Sequence, residues 1–169
     1  LYLVREGLAE HAVAMDVRKG PLERAKAHVA EAGLENRIDV RLSDGLTGLK
    51  PGEADCVVIA GMGGELVIHI LEAGRSLWET IGYWVLSPQS ELDKVRRFLE
   101  KESFSIVRET MMKEDGKYYT VMGVTRGGLS GENDSEPHYL YGSRLIRQKN
   151  PVLAEFLKKE QEQLEQILD

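Results

Sequence analysis

Residues 56–74 read CVVIAGMGGELVIHILEAG, and the fold is decided here. Cys56-Val57-Val58-Ile59-Ala60 is a continuous apolar run rich in β-branched residues, the composition of a strand in the middle of a parallel sheet. Gly61-Met62-Gly63-Gly64 breaks the run. Glu65 to Leu71 then resumes as a buried helix that stops near Gly74. Strand, glycine turn and helix together make half of a right-handed parallel crossover.

On the N-terminal side, residues 11–17 (HAVAMDV) form a short strand ending on Asp16. Gly20-Pro21 opens a helix with Leu22, Ala25, Val29 and Ala32 on one face, and proline at a first helical position is preorganised for that turn. Gly33-Leu34 has the form of a Schellman stop. Residues 38–42 (IDVRL) alternate as a strand does, Ser43-Asp44-Gly45 ends them, and a loop through Lys50-Pro51-Gly52 returns to Cys56.

On the C-terminal side, residues 83–86 form a strand closed by Ser87-Pro88-Gln89. Ser90 is placed to cap the next helix, with Glu91 and Asp93 favourable in its first turn and Leu92, Val95, Phe98 and Leu99 as its apolar face. Residues 104–113 and 117–125 read as two strands about Glu114-Asp115-Gly116, and Asp-Gly is a strong hairpin signal. The expected fold is therefore α/β: a mostly parallel sheet between helices, ending in an antiparallel hairpin. Gly127 to Pro137 is a polar linker, which divides the chain into 1–126, a linker at 127–137 and a helical tail at 138–169. In that tail Asn150-Pro151 starts a helix. Leu153, Leu157, Leu164 and Ile167 then recur at heptad-like spacing, as at the beginning of a coiled coil.

Composition bounds the function. The 169 residues carry 22 Lys+Arg against 28 Asp+Glu, a net charge of −6, and are 42% apolar. That suits one globular domain with an appendage and excludes a chain disordered throughout. No apolar run reaches the roughly 18 residues that a membrane-spanning helix needs. The single cysteine, Cys56, excludes an internal disulfide, and a reducing cytoplasm is the expected compartment. His11, His28, His69 and His138 lack metal-ligand spacing, so no metal is expected. The opening residues have neither the basic flank nor the cleavage site of a signal peptide.

Ligands of an open α/β sheet bind beyond the strand C-termini, which singles out Asp16, Asp44-Gly45 and the turn at 61–64. A carboxylate offers two acceptor oxygens and can take both hydroxyls of a ribose. A nicotinamide-dinucleotide site would need an acid about 20 residues after its glycine loop. Here the next strand ends Val85-Leu86-Ser87-Pro88, and the acid stands before the glycines, at Asp16. Singly, each of these features also reads as an ordinary strand end or a tight turn.

Taken together, they resemble a class I S-adenosylmethionine-dependent methyltransferase of Rossmann-like fold, specifically the bacterial tRNA (adenine-N1) methyltransferases that modify adenosine 22. The similar segments are AVAMDVRKGPLERAK (12–26), DVRLSDGL (39–46), ADCVVIAGMGGELVIHILEAG (54–74), VLSPQSELDKVRRFL (85–99), MKEDGKYYTVM (112–122) and YGSRLIRQKNP (141–151). The resemblance implies that Asp16 binds the cofactor ribose, that Val17 packs on adenine, and that Asp44 and Gly45 border the adenine. It implies that Ala60, Gly61 and Met62 lie by the methionine end of S-adenosylmethionine. Gly61, Met62, Gly63, Gly64, Pro88 and Gln89 would then face the transferred methyl and the base. Two departures stand out. The family's first strand and cofactor loop would precede Leu1, and part of its helical C-terminal region would follow residue 169. Where the family commonly has Leu-Gln-Pro-Asn, this chain has Leu86-Ser87-Pro88-Gln89. No general base is identified.

A tRNA partner requires local positive charge. Residues 137–151 carry Arg144, Arg147 and Lys149 and no acid, which makes these three the candidate RNA contacts. Arg18, Lys19, Arg24 and Lys26 form a second basic cluster. Lys94, Arg96 and Arg97 form a third, better read as a helix face than as RNA contacts. Tyr118 and Tyr119 read as packing residues of the hairpin. Two alternatives remain open at this level: methylation of a small molecule with the same cofactor, and a non-catalytic chain that binds RNA or protein through its tail.

Overall fold

A computed structural model of the chain describes residues 1–128 and 135–168. After a short helix α1 (Tyr2–Arg5), the chain alternates β1 (Ala12–Asp16), α2 (Lys19–Glu31), β2 (Ile38–Leu42), β3 (Cys56–Met62) and α3 (Gly64–Ala73). A 3-10 turn (Arg75–Leu77) leads to β4 (Tyr83–Pro88) and α4 (Leu92–Lys101), and then to the hairpin of β5 (Phe104–Glu114) and β6 (Lys117–Arg126). Three helices follow: α5 (Glu136–Tyr141), α6 (Ser143–Arg147) and α7 (Pro151–Leu168). The expected linker lies mainly in 129–134, outside the described residues, and its last residues, Glu136 and Pro137, open α5.

The α/β expectation holds, with one difference in the sheet. Strands pair in two sets, β1 parallel to β2 and a four-stranded sheet in the order β3-β4-β6-β5. β3 and β4 are parallel, whereas β6 is antiparallel to both β4 and β5. Among the described residues, β1 and β3 each keep one unpaired edge. This corrects the expectation that β3 sits in the middle of a parallel sheet. Val57 and Ile59 are buried, but Val58 between them is 55% exposed. An edge strand with one covered face shows that alternation.

Local chemistry explains the element ends. Gly33 has φ +65°, its N–H donates to Ala30 O, and the Leu34 N–H donates to Val29 O, the paired bonds of a Schellman stop. Leu34 packs onto the small cluster of Val4, Val29 and Ile38. α2 begins at Lys19, so Pro21 falls within its first turn rather than opening it. Asp115 and Gly116 both have positive φ, at 48° and 75°, which is the type I′ turn that matches strand twist.

The main core joins Val57 and Ile59 of β3, Val67 and Leu71 of α3, Trp84 and Leu86 of β4, and Val95, Phe98 and Leu99 of α4. The tail is not detached from this body. Met111 of β5, Leu145 of α6 and Leu153 of α7 form their own buried cluster, and Tyr118 packs edge-on against Phe156 with ring centroids 5.1 Å apart. Leu164 and Ile167, the outer half of the heptad-like stripe, are exposed.

Candidate functional site

The strand ends form two groups. In the first, β1 and β2 run in register from Ala12 beside Ile38 to Asp16 beside Leu42, and the Ser43 N–H donates to the Asp16 carbonyl at 3.0 Å. Asp16 is thereby set beside the Asp44-Gly45 turn. One carboxylate oxygen of Asp16 accepts the Arg18 N–H at 2.8 Å, which turns the chain and leaves Oδ2 without a partner among the described residues. Val17 follows and is 61% exposed. Asp44 is exposed as well.

The turn that carries Asp44 is tightly built. Buried Ser43 donates its hydroxyl to the Gly45 carbonyl at 3.0 Å and accepts the Gly48 N–H at 2.8 Å. Gly45 has φ +53°, and a Cβ there would sit 3.1 Å from Ile70 of α3. Beyond the turn, Glu53 closes the loop back on β2 through an ion pair with Arg41 at 2.6 Å. The Arg41 guanidinium and the Lys50 N–H hold the Glu53 carboxyl down to about 2.

In the second group, β3 ends in a bulge. Ala60 pairs with Ser87, and the register then shifts so that Met62 pairs with Pro88. Gly61 supplies the positive φ of +76° that the bulge requires, and its would-be Cβ position faces open space. The Gln89 N–H donates to the Met62 carbonyl at 2.8 Å, tying the loop after β4 to the glycine turn. Gly64 is buried beneath that loop, where a Cβ would lie 2.6 Å from the Ser90 carbonyl.

Ser90 does not cap α4. The N-cap is Glu91, in a left-handed conformation at φ 54°. The Glu91 carboxylate instead accepts the Glu65 N–H at the start of α3 and pairs with Lys94 at 2.8 Å. Lys94 and that N–H hold its carboxyl below the usual range. Left-handed geometry costs a non-glycine residue roughly 1–2 kcal/mol, and these contacts offset it.

These features suit an adenosyl cofactor. Asp16 offers an acceptor oxygen, Val17 an exposed apolar side chain, Asp44 a carboxylate, and Ala60-Gly61 an open strand end. Among the described residues, no group of three or more His, Cys, Asp or Glu is arranged to hold a metal ion, and no helix is long and apolar enough to cross a membrane.

The three candidate RNA contacts divide. Arg147 and Lys149 are exposed, while Arg144 is half-buried and donates Nε to the Ile106 carbonyl of β5. Lys149 holds a left-handed φ of 50°, and Asn150 accepts the N–H groups of Val152 and Leu153 at 3.0 and 3.1 Å to cap α7. The third basic cluster is engaged within the fold, and Arg96 departs from the solvated helix face expected of all three. Lys94 pairs with Glu65 and Glu91, Arg97 pairs with Glu136 and stacks 4.0 Å from the Tyr139 ring centroid, and Arg96 is buried against Glu109.

Comparison with known proteins adds to this geometry. A family model described as tRNA (adenine(22)-N(1))-methyltransferase matches residues 1–169. The protein of that name from Bacillus subtilis (strain 168) is 37% identical over 167 residues, which is 97% of this chain and 69% of the relative. Streptococcus pneumoniae Sp1610, solved in complex with S-adenosyl-L-methionine, is 33% identical with a TM-score of 0.91, covering 97% of this chain and 76% of that one. An M. capricolum protein solved with S-adenosyl-homocysteine is 26% identical with a TM-score of 0.83, covering 99% of this chain and 74% of its own.

Proposed function

The chain belongs to the tRNA (adenine(22)-N(1))-methyltransferase family, and on that premise we propose that it transfers a methyl group from S-adenosylmethionine to N1 of adenosine 22 in tRNA. When bound, the cofactor supplies a methyl on a sulfonium, which the N1 lone pair accepts as the carbon–sulfur bond breaks and its electron pair stays on sulfur. The donor is already activated, so alignment of the two reactants can lower most of the barrier, by up to about 7–11 kcal/mol.

Asp16 takes the ribose hydroxyls through Oδ2, Val17 lies on one face of the adenine, and Asp44 with Gly45 borders its edge. Ala60, Gly61 and Met62 flank the methionine end. Gly63 and Gln89 face the incoming base, which leaves its stack to reach them, while Gly64 and Pro88, expected on the same side, are buried and shape the turn beneath. Arg144, Arg147 and Lys149 follow the RNA backbone, with Arg144 also anchoring its own segment to β5. A tRNA substrate makes the cytoplasm the site of action.

The observation that carries this reading is the bond from Gln89 N–H to Met62 O at 2.8 Å. It ties the loop after β4 to the glycine turn after β3, the two segments assigned here to the base and to the methyl donor. Calorimetry with S-adenosylmethionine and methyl transfer to unmodified tRNA, mapped by a reverse-transcription stop at position 22, test it. Cofactor binding with a stop at 22, lost when guanosine replaces the adenosine, is expected. Absence of both binding and transfer overturns the reading. Binding without transfer to any tRNA favours the small-molecule alternative.

A further inference from the structure

Arg96 lies one turn into α4, and Glu109 lies on β5. Their side chains are each only 1% exposed. A buried charge is tolerated only when it is paired and hydrogen-bonded, and this pair meets both conditions. Arg96 donates Nε and one terminal nitrogen to Glu109 Oε1, at 3.0 and 2.8 Å. Its other terminal nitrogen donates to the carbonyls of Tyr139 and Leu140 in the last turn of α5.

The turn that leaves α5 is shaped around the same carboxylate. Gly142 has φ +89°, and a Cβ there would overlap the carboxylate of Glu109. Ser143, the next residue, opens α6 and is buried. Tyr139 also donates its hydroxyl to Glu100 of α4. One side-chain pair thus joins α4, β5 and the α5–α6 turn. Only Ser90 and Glu91 separate Gln89 from α4, and α6 carries Arg144 and ends on Arg147, two residues before Lys149.

Stability alone does not account for such a pair, because a well-packed apolar replacement of a buried ion pair is often as stable or more so. Apolar side chains would fill the volume, but they would not hold two backbone carbonyls at a fixed position. We propose that Arg96 and Glu109 are positioning residues: they fix the basic segment 144–149 relative to the Pro88–Gln89 loop, so that tRNA held by the first delivers its base to the second. The inference rests on the methyltransferase reading above.

The test compares the full chain with Arg96→Lys and with the double variant Arg96→Met/Glu109→Leu. Four quantities are read: thermal midpoint, S-adenosylmethionine affinity, kcat and KM for tRNA, and amide hydrogen exchange over 136–150. The double variant should fold and bind cofactor within about twofold of the parent, while KM for tRNA rises at least tenfold and exchange over 136–150 quickens. Arg96→Lys should fall between the two, since an ammonium cannot span the carboxylate and both carbonyls in the guanidinium geometry. An unchanged KM together with unchanged exchange overturns the proposal. If the double variant does not fold, Arg96→Lys carries the same comparison. A parent chain that neither binds cofactor nor methylates tRNA overturns the functional reading, and hydrogen exchange then still reports whether the pair fixes the segment.

Discussion

The Gln89 backbone N–H donates to the Met62 carbonyl at 2.8 Å, and this one bond draws the loop after β4 down onto the glycine turn after β3. The approach is close because Gly64 has no side chain. A Cβ there would meet the carbonyl oxygens of Ser90 at 2.6 Å and Glu91 at 2.8 Å, and neither carbonyl can yield without moving the loop.

Gly64→Ala should therefore act on catalysis as well as on folding. Overpacking of this kind costs about 1–3 kcal/mol, and displacement of Pro88 and Gln89 should lower kcat on tRNA by about tenfold, equivalent to roughly 1.4 kcal/mol of alignment. Cofactor affinity should fall less than kcat, because Asp16 ends β1 and Asp44 follows β2, and only Ala60, Gly61 and Met62 of the cofactor contacts adjoin this turn. Urea midpoints and steady-state kinetics check it. Parent-like stability with parent-like kcat would show that the loop does not depend on this glycine.

Asp16→Asn and Asp16→Ala separate the two duties of this carboxylate. One oxygen accepts the Arg18 N–H at 2.8 Å, which asparagine can still do. Neither variant keeps the charged acceptor for a ribose, and hydrogen bonds to charged groups contribute about 1.5–3 kcal/mol. Both should weaken S-adenosylmethionine binding by about 10- to 100-fold in calorimetry. Only the alanine variant should also lose thermal stability, through the broken turn. Parent-like affinity in Asp16→Asn would remove the ribose assignment.

Much of this arrangement is legible in the residues. The glycines at 61–64, the Asp115-Gly116 turn and the Gly33-Leu34 stop each need a positive φ or a close approach, and the residue type announces it. The pairing of Arg96 with Glu109 is not legible, for a physical reason. The β5 register shifts between Ile106 and Arg108. This bulge turns Glu109 and Met111 inward after Phe104 and Ile106, whereas simple alternation would put Glu109 on the other face. Arg96 does leave a signal, since it stands four residues after Leu92 and so on the apolar stripe of α4. The start of α4 is obscured for a different reason. Ser90 is the better cap by type, but a left-handed residue begins the helix, and the contacts of Glu91, across to Glu65 and locally to Lys94, explain why.

Glu53 should give the loop beneath Asp44 an acid-sensitive component. Its carboxyl is depressed from the usual 4.5 to about 2, first by the Arg41 guanidinium and then by the Lys50 N–H. The folded state therefore binds that proton less readily than the unfolded chain. The contribution is complete above the unfolded value and disappears as pH falls through the folded one. A carboxyl-detected NMR titration should place the Glu53 midpoint near 2. Glu53→Gln should flatten the loss of stability on acidification below about pH 4.5. A midpoint in the ordinary glutamate range would show that Arg41 does not hold it in solution.

Arg147 and Lys149 should contribute to tRNA affinity through charge. Removing one phosphate-neutralising side chain reduces the slope of log K against log salt by about 0.7–0.9. Arg147→Ala and Lys149→Gly are suitable variants, the second because glycine tolerates the φ of 50° at that position. Each should weaken tRNA binding and flatten its salt dependence without altering cofactor affinity. A salt slope equal to the parent's in both would place the RNA path elsewhere.

The long C-terminal helix should divide into a docked half and an exposed half. Leu153 is 4% exposed and packs with Met111 of β5 and Leu145 of α6, whereas Leu164 is 61% exposed. Truncating a buried leucine costs about 2–5 kcal/mol, and an exposed one usually within about 0.5 kcal/mol. Leu153→Ala should thus lower the unfolding midpoint strongly, and it should also loosen the Asn150 cap, whose side-chain oxygen accepts the Leu153 N–H at 3.1 Å. Because the same cluster seats α6, tRNA affinity should fall in Leu153→Ala even well below its midpoint. Leu164→Ala should leave the stability of this chain where it was. Equal effects from the two would mean that α7 is held along its whole length, and the division between the halves would then be wrong.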